Sequence, residues 1–200
     1  MPPRQRVTRP PREQTRREIL DAAGRTFARR GFHGASVEAV AAEAGLSTGA
    51  IYSNFESKEE LFLALYEERL ATRTRELRET VGETAGGDEA LTAAAANVAQ
   101  VFRTSPEWLL LYFEFALFAA RDPKFGRRFR ALRKRGLEDL TRGIEEGLRR
   151  AAADPAAAER IARAVRAAGY GLALEHVLGE AKRDDRALED VLQMIFRGAL

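Results

Sequence analysis

Six hydrogen-bonding side chains cluster just after Gly45: Ser47, Thr48, Tyr52, Ser53, Asn54 and Lys58. Hydroxyls, an amide and an ammonium are suited to anionic oxygens and to the edges of bases. Gly49 and Ala50, lying among them, are small enough for a backbone to come close to such a partner. Lys58 opens a helix, where its charge works against the local dipole, and this points to an anionic partner such as phosphate. The rest of the sequence offers little for bond-making chemistry. There is no cysteine, which removes disulfides, thiolate metal sites and thiol nucleophiles, and the two histidines, His33 and His176, are too scattered for a metal centre. No phosphate-cradling glycine-rich loop and no paired-acid signature is present, so an enzyme is not expected, and neither a metal nor a cofactor.

These polar residues need rigid elements around them, and capping signals supply the frame. Ser36 caps a helix that runs through Ala44; Gly45 suits a turn with positive φ; Ser47 caps the next helix, through Phe55. Ala41 and Ala42 allow the two helices to approach closely, and Leu46 and Ile51 anchor the second. The order short helix, tight turn, second helix is that of a helix-turn-helix. Such geometry also occurs inside bundles that never meet nucleic acid, with the glycine as a plain helix terminator.

On either side the chain reads as helix after helix, with no alternating strand pattern. Thr15 and Glu18 form a capping box that opens a first helix, ended by Gly31. Ser57 and Glu60 open another that reaches about Gly82. Further helices are expected over 88–103, 106–121, 123–153, 154–179 and 184–199. The fold class is therefore all-α. Residues 1–14 form a basic Pro/Arg arm without expected structure, 15–60 the helix-turn-helix domain, and 61–200 a second helical domain. The charge divides accordingly: residues 1–55 carry nine arginines against five acids, although the whole chain is only +3. A basic first quarter fits a polyanion partner. The arm either reaches a minor groove or is a solvated tail. No stretch is apolar enough to span a bilayer or to serve as a signal peptide, so a cytoplasmic protein is expected.

The run Val37-Glu-Ala-Val-Ala-Ala-Glu-Ala-Gly-Leu-Ser-Thr-Gly-Ala-Ile-Tyr-Ser-Asn-Phe-Glu-Ser-Lys-Glu-Glu-Leu61 closely resembles the DNA-binding domain of the TetR family of bacterial transcriptional regulators. The likeness extends back through Ile19-Leu-Asp-Ala-Ala, Phe27, Gly31-Phe32 and Ala35-Ser36, and covers roughly residues 15–65. It implies a homodimer of about nine helices, the first three binding double-stranded DNA and the rest binding an effector and dimerising. Carried over by position, it assigns Thr48, Gly49, Ala50 and Ser53 to bases, with Ser47 at the same helix start. Ser36, Tyr52, Asn54 and Lys58 go to phosphates. Asn54 stands where the family usually has His, and its amide can still donate to a phosphate.

In the second half, Trp108–Ala120 is apolar nearly all round, which predicts a buried helix. Phe102, Trp108, Tyr112 and Phe115 are the candidate lining of a pocket for a small, largely apolar effector; a packed core without a ligand uses the same residues. Glu114, the one charge in that run, either pairs with an arginine or meets the effector. Ala167-Ala-Gly169-Tyr-Gly171-Leu-Ala-Leu174 resembles the family's penultimate helix. With it, Gly169, Leu172, Leu188, Leu192, Ile195 and Phe196 are the candidate dimer seam, or equally an internal core. The expected function is a repressor released from a near-palindromic operator by its effector. The alternative is a constitutive or architectural DNA-binding protein.

Overall fold

A computed structural model describes residues 12–82, 93, 96, 106–150, 152–179 and 187–198. Among them are eight α-helices: α1 (Arg12–Gly34), α2 (Val37–Ala44), α3 (Thr48–Tyr52), α4 (Lys58–Gly82), α5 (Pro106–Arg121), α6 (Pro123–Arg150), α7 (Ala158–Val177) and α8 (Ala187–Arg197). A 3-10 turn, Pro155–Ala157, precedes α7. Of the helix expected over 88–103, only Ala93 and Ala96 are described, and both are helical. The chain divides into two compact units at Leu65/Tyr66, and α4 runs through the boundary.

The first unit is built on aromatic contacts. Ile19, Ala22, Ala23, Thr26 and Phe27 recur on one face of α1 and are buried. The rings of Phe27, Phe32 and Phe62 meet pairwise at 5.9–6.3 Å, and each buried side chain of this size is worth about 1.5–3 kcal/mol over leaving it in water. α1 is already helical at Arg12, so Thr15 lies within the helix rather than capping it. Gly31, at φ 66° and ψ 174°, breaks the helical run, and a short turn to Gly34 leads to α2.

In the second unit α6 buries Phe125, Phe129, Leu132, Ile144 and Leu148 along one side, with Leu140 half-buried. Asp122 starts it by accepting from the Phe125 N–H at 2.7 Å. The helix stops at Arg150 rather than Ala153, because Ala152 turns to φ 55° and the Ala153 N–H returns to the Leu148 carbonyl at 2.9 Å. Asp154 then restarts the chain through the Ala156 N–H. Ile144 and Leu148 pack with Ala157, Ala158, Ile161, Ala162, Val165 and Leu192, so α6, α7 and α8 share one core.

α5 departs from the expectation of burial all round. It buries Leu109, Leu111, Tyr112, Phe115 and Ala119 but leaves Leu110 49% and Leu117 61% exposed. The two outward leucines are seven residues apart, so the helix keeps an apolar outer face that hydropathy could not tell from its inner one.

Candidate nucleic-acid interface

The helix-turn-helix follows from three local devices. Ser36 accepts from the Ala39 N–H at 3.2 Å and fixes the start of α2. Gly45 then adopts φ 66°, ψ 27°, so that its own N–H reaches Ala42 and that of Leu46 reaches Ala41 at 2.9 Å, closing the helix end. Ser47 accepts from the Ala50 N–H at 3.2 Å and starts α3 after a turn of only three residues, Gly45-Leu46-Ser47. Ala41 is buried as expected, whereas Ala42 faces outward and Leu46 is half-buried.

α3 is shorter than the sequence pattern suggested and ends at Tyr52, not Phe55. Ser53 Oγ and Asn54 Nδ2 both donate to the Ala50 carbonyl, at 2.8 and 2.9 Å, competing with the backbone for that acceptor. Ile51 and Phe55 are buried and clamp the helix to the first unit. Ser47, Gly49, Tyr52 and Ser53 remain exposed, Tyr52 to 52%. Thr48, Ala50 and Asn54 are half-buried, and Ser36 is exposed at the start of α2. Ser47, Gly49, Tyr52 and Ser53 thus sit on the outward side of α3 and its two ends, while Ser36 stands at the start of α2 and Lys58 at the start of α4.

Lys58 has partners of its own. Its Nζ donates to the carbonyls of Phe32 and Ala35 at 2.8 and 2.9 Å and lies 4.3 Å over the Phe32 ring. The unfavourable dipole at the start of α4 is thus offset within the protein, and an external anion is not needed to explain the residue. Further contacts at this site escaped the sequence reading. Arg25 and Arg29 both pair with Glu43, tying α1 to α2, and the Arg25 and Arg29 guanidiniums hold the Glu43 carboxyl below the usual range. Arg16 lies 4.5 Å over the Phe55 ring. No spacing rule joins residues so far apart in sequence; only the basic character of α1 hinted at these pairs.

In the second unit, Trp108 is half-buried, stacked on Tyr66 at 6.2 Å with the Arg69 guanidinium 4.3 Å above it. Tyr112 and Phe115 are buried, and Glu114 is half-buried. Phe102 lies outside the described residues. None of Trp108, Tyr112 and Phe115 lines the open groove of about 370 Å³ between α6 and α7, whose walls include Lys134, Leu137, Thr141, Arg142 and Arg163. The candidate seam divides. Leu192 is wholly buried within the chain, Gly169 is buried, and Leu172 and Ile195 are half-buried against the same core. Leu192 is therefore a core residue and presents nothing to a partner. Leu188 and Phe196 belong to α8, and their side chains lie outside the described residues. The large apolar side chains exposed in this region are instead Leu174 on α7, with Ala167 and Gly171 on the same outward stripe, Leu178 at 63% just past the helix end, and Met194 at 64% on α8.

Residues 19–65 match the family model for bacterial regulatory proteins of the tetR family, and residues 87–197 match that for the C-terminal domain of BetI-type transcriptional repressors. The chain belongs to the TetR family. It is a family of transcriptional regulators, not of enzymes. Among curated relatives, the chain is 35% identical over 114 residues to the transcriptional repressor AcnR of Corynebacterium efficiens, covering 56% of this chain and 54% of that protein. That match thus spans about half of the relative's length. The transcriptional regulator BetI of Brucella suis is 29% identical over 164 residues, covering 82% of this chain and 80% of its own. Among solved structures, the regulator FadR of Bacillus subtilis, in complex with stearoyl-CoA, superposes with a TM-score of 0.71 at 20% identity, covering 92% of this chain and 98% of that one. This last likeness concerns the fold. No helix among the described residues is long and apolar enough to cross a membrane.

Proposed function

We propose that this TetR-family chain is a transcriptional repressor that binds an inverted-repeat DNA operator as a homodimer and lets go when its second unit takes up a small, largely apolar effector. The observation that carries the reading is α3: a short helix held from below by Ile51 and Phe55, set off by the left-handed turn at Gly45, with small and hydroxyl-bearing residues facing out. Such a surface enters a major groove without steric conflict. Thr48, Gly49, Ala50 and Ser53, with Ser47 at the helix start, face bases; Ser36, Tyr52, Asn54 and Lys58 face phosphates. Lys58 has three ammonium protons and two internal acceptors, so one proton remains for a phosphate oxygen.

Dimerisation falls to the outward stripe of Ala167, Gly171 and Leu174 on α7 and Leu178 just past its end, together with Met194 on α8. Small residues along it allow two helices to close on each other, and the exposed leucines and methionine supply apolar area. The sign of regulation is drawn from the BetI-type repressor model and the AcnR relative. The effector follows the FadR complex, in which a related fold carries a ligand with a long apolar chain. Trp108, Tyr112 and Phe115 contact it here, with Phe102.

The test is release: the full-length protein is bound to its selected operator and titrated with small molecules while DNA anisotropy and Trp108 emission are followed together. A true effector lowers DNA affinity and shifts Trp108 emission. Because coupling is reciprocal, operator DNA must weaken effector binding by the same factor, and a tenfold effect corresponds to about 1.4 kcal/mol. An effector that binds equally with and without DNA refutes the switch and leaves a constitutive DNA-binding protein.

A further inference from the structure

Two guanidinium groups in the second unit lack what their neighbours have. Along α6 and α7, Lys134 pairs with Glu138, Arg135 with Glu67, Arg142 with Asp139 and Arg163 with Glu159. Arg133 on α6 and Arg166 on α7 are both half-buried, and no carboxylate among the described residues pairs with either. The Nε of Arg133 is buried and has no hydrogen-bond partner. Arg166 Nη1 donates to the Arg133 backbone carbonyl at 3.3 Å, which joins the two residues without neutralising either. Arg133 Cζ lies 5.8 Å from the Tyr112 ring centroid.

The surroundings are aromatic. Tyr112 stacks on Tyr170 at 4.3 Å and 3°, and Tyr66 lies 6.1 Å from Tyr112. Burial raises all three phenols, Tyr66 to about 12, while the positive charges of Arg133 and Arg166 act on Tyr66 and Tyr112 in the opposite sense. Those charges are thus near enough to be felt by the phenols, which stay protonated at neutral pH and hydrogen-bond among themselves, Tyr170 with both Tyr66 and Tyr112. A partly buried cation with no counter-ion is a cost to folding, and residues kept at such a cost mark sites that serve something other than stability. Two planar forks of N–H donors side by side fit a carboxylate best.

We propose that Arg133 and Arg166 receive a carboxylate of the effector beside the hydrogen-bonded hydroxyls of Tyr66, Tyr112 and Tyr170, and that its apolar body lies toward Trp108. The effector class is then an amphipathic organic acid. This inference rests on the reading that the second unit binds an effector, and it specifies the polar end that reading left open.

The experiment uses the full chain, with decanoate and 4-phenylbutyrate as probes, each against its methyl ester. The acids raise the melting temperature and shift Trp108 emission, and the esters do not. Arg133→Met, which keeps the length of the stem, raises the melting temperature of the free protein and weakens acid binding about tenfold or more. Arg166→Met also weakens acid binding. A fall in the melting temperature of free Arg133→Met makes the residue structural and overturns the proposal. Esters that act as strongly as the acids overturn it while leaving an apolar effector standing. Acids and esters that are both inert overturn it together with the effector reading.

Discussion

Lys58 sits on Phe32: its Nζ is 2.8 Å from the Phe32 carbonyl oxygen and 4.3 Å above the same residue's ring. With Ala35 as second acceptor, the ammonium closes the carbonyl end of α1, where free acceptors and the negative end of the helix dipole favour a cation. One side chain thus fastens the start of α4 to the end of α1, beside the surface proposed to meet DNA.

Lys58 consequently has two measurable roles. Lys58→Met removes two charge-assisted hydrogen bonds and is expected to cost about 1–3 kcal/mol in stability by denaturant unfolding. If its remaining proton meets a phosphate, the slope of log affinity against log salt also falls by about one. An unchanged unfolding midpoint contradicts the structural role; an unchanged salt slope contradicts the phosphate contact.

Two glycines should respond to alanine for different reasons. At Gly45 a Cβ would meet nothing within 4 Å, so Gly45→Ala is strained only by its φ of 66°, at a cost of roughly 1–2 kcal/mol. At Gly126 a Cβ would stand 2.3 Å from the Ala119 carbonyl oxygen, which belongs to rigid backbone. Gly126→Ala forces α5 and α6 apart and should cost about 1–3 kcal/mol or more. The informative readout is DNA binding by the folded protein, which Gly45→Ala should weaken and Gly126→Ala should spare.

The last two helices should separate folding from assembly. Leu192→Asp places an unpaired charge in the core of α6, α7 and α8, and an unfolded or aggregated chain is expected, with a loss on the order of 3–5 kcal/mol. Leu178→Asp with Met194→Asp alters only exposed positions. That double variant should keep its helical circular dichroism, sediment as a monomer and lose operator affinity. A folded, dimeric, fully active double variant would place the seam on another face.

Alkaline pH probes the tyrosine cluster. A phenol whose pKa is raised on folding stabilises the native state fully below its ordinary pKa of about 10, and that contribution disappears as pH rises through the folded value. For Tyr66 the folded value is about 12, and Tyr112 and Tyr170 are raised as well. The melting temperature should hold its value up to about pH 10 and then decline toward 12. Tyr66→Phe should make that decline shallower, and a decline of equal steepness would argue against a buried phenol at this position.

What the sequence revealed follows the range of each interaction. Ser36, Gly45, Ser47 and Ser57 were readable because a cap is settled within about four residues, and all four perform the expected local task. Glu60 in turn accepts from the Glu56 N–H at 2.6 Å, one residue before the cap. The early end of α3 depends on Ser53 and Asn54 choosing the Ala50 carbonyl, a competition that periodicity does not register. The contacts of Lys58 with Phe32 and of Arg25 with Glu43 bridge 26 and 18 residues, and only the fold brings them together. Leu192 carried the right hydrophobic signal with the wrong neighbour, since spacing cannot separate a core within one chain from a seam between two.

The most direct test of the account is to select bound duplexes from a random pool with the full-length protein at moderate salt, then to measure stoichiometry and affinity on the selected sequence. The account predicts an enriched inverted repeat whose half-sites lie one helical turn apart, roughly 34–36 Å, bound by two chains. Thr48→Ala should relax the preference at particular base pairs by about 1–3 kcal/mol, whereas Tyr52→Ala should weaken all sequences alike. A pool that yields no shared motif, or a motif bound as tightly by both variants as by the unaltered chain, would contradict DNA recognition through α3.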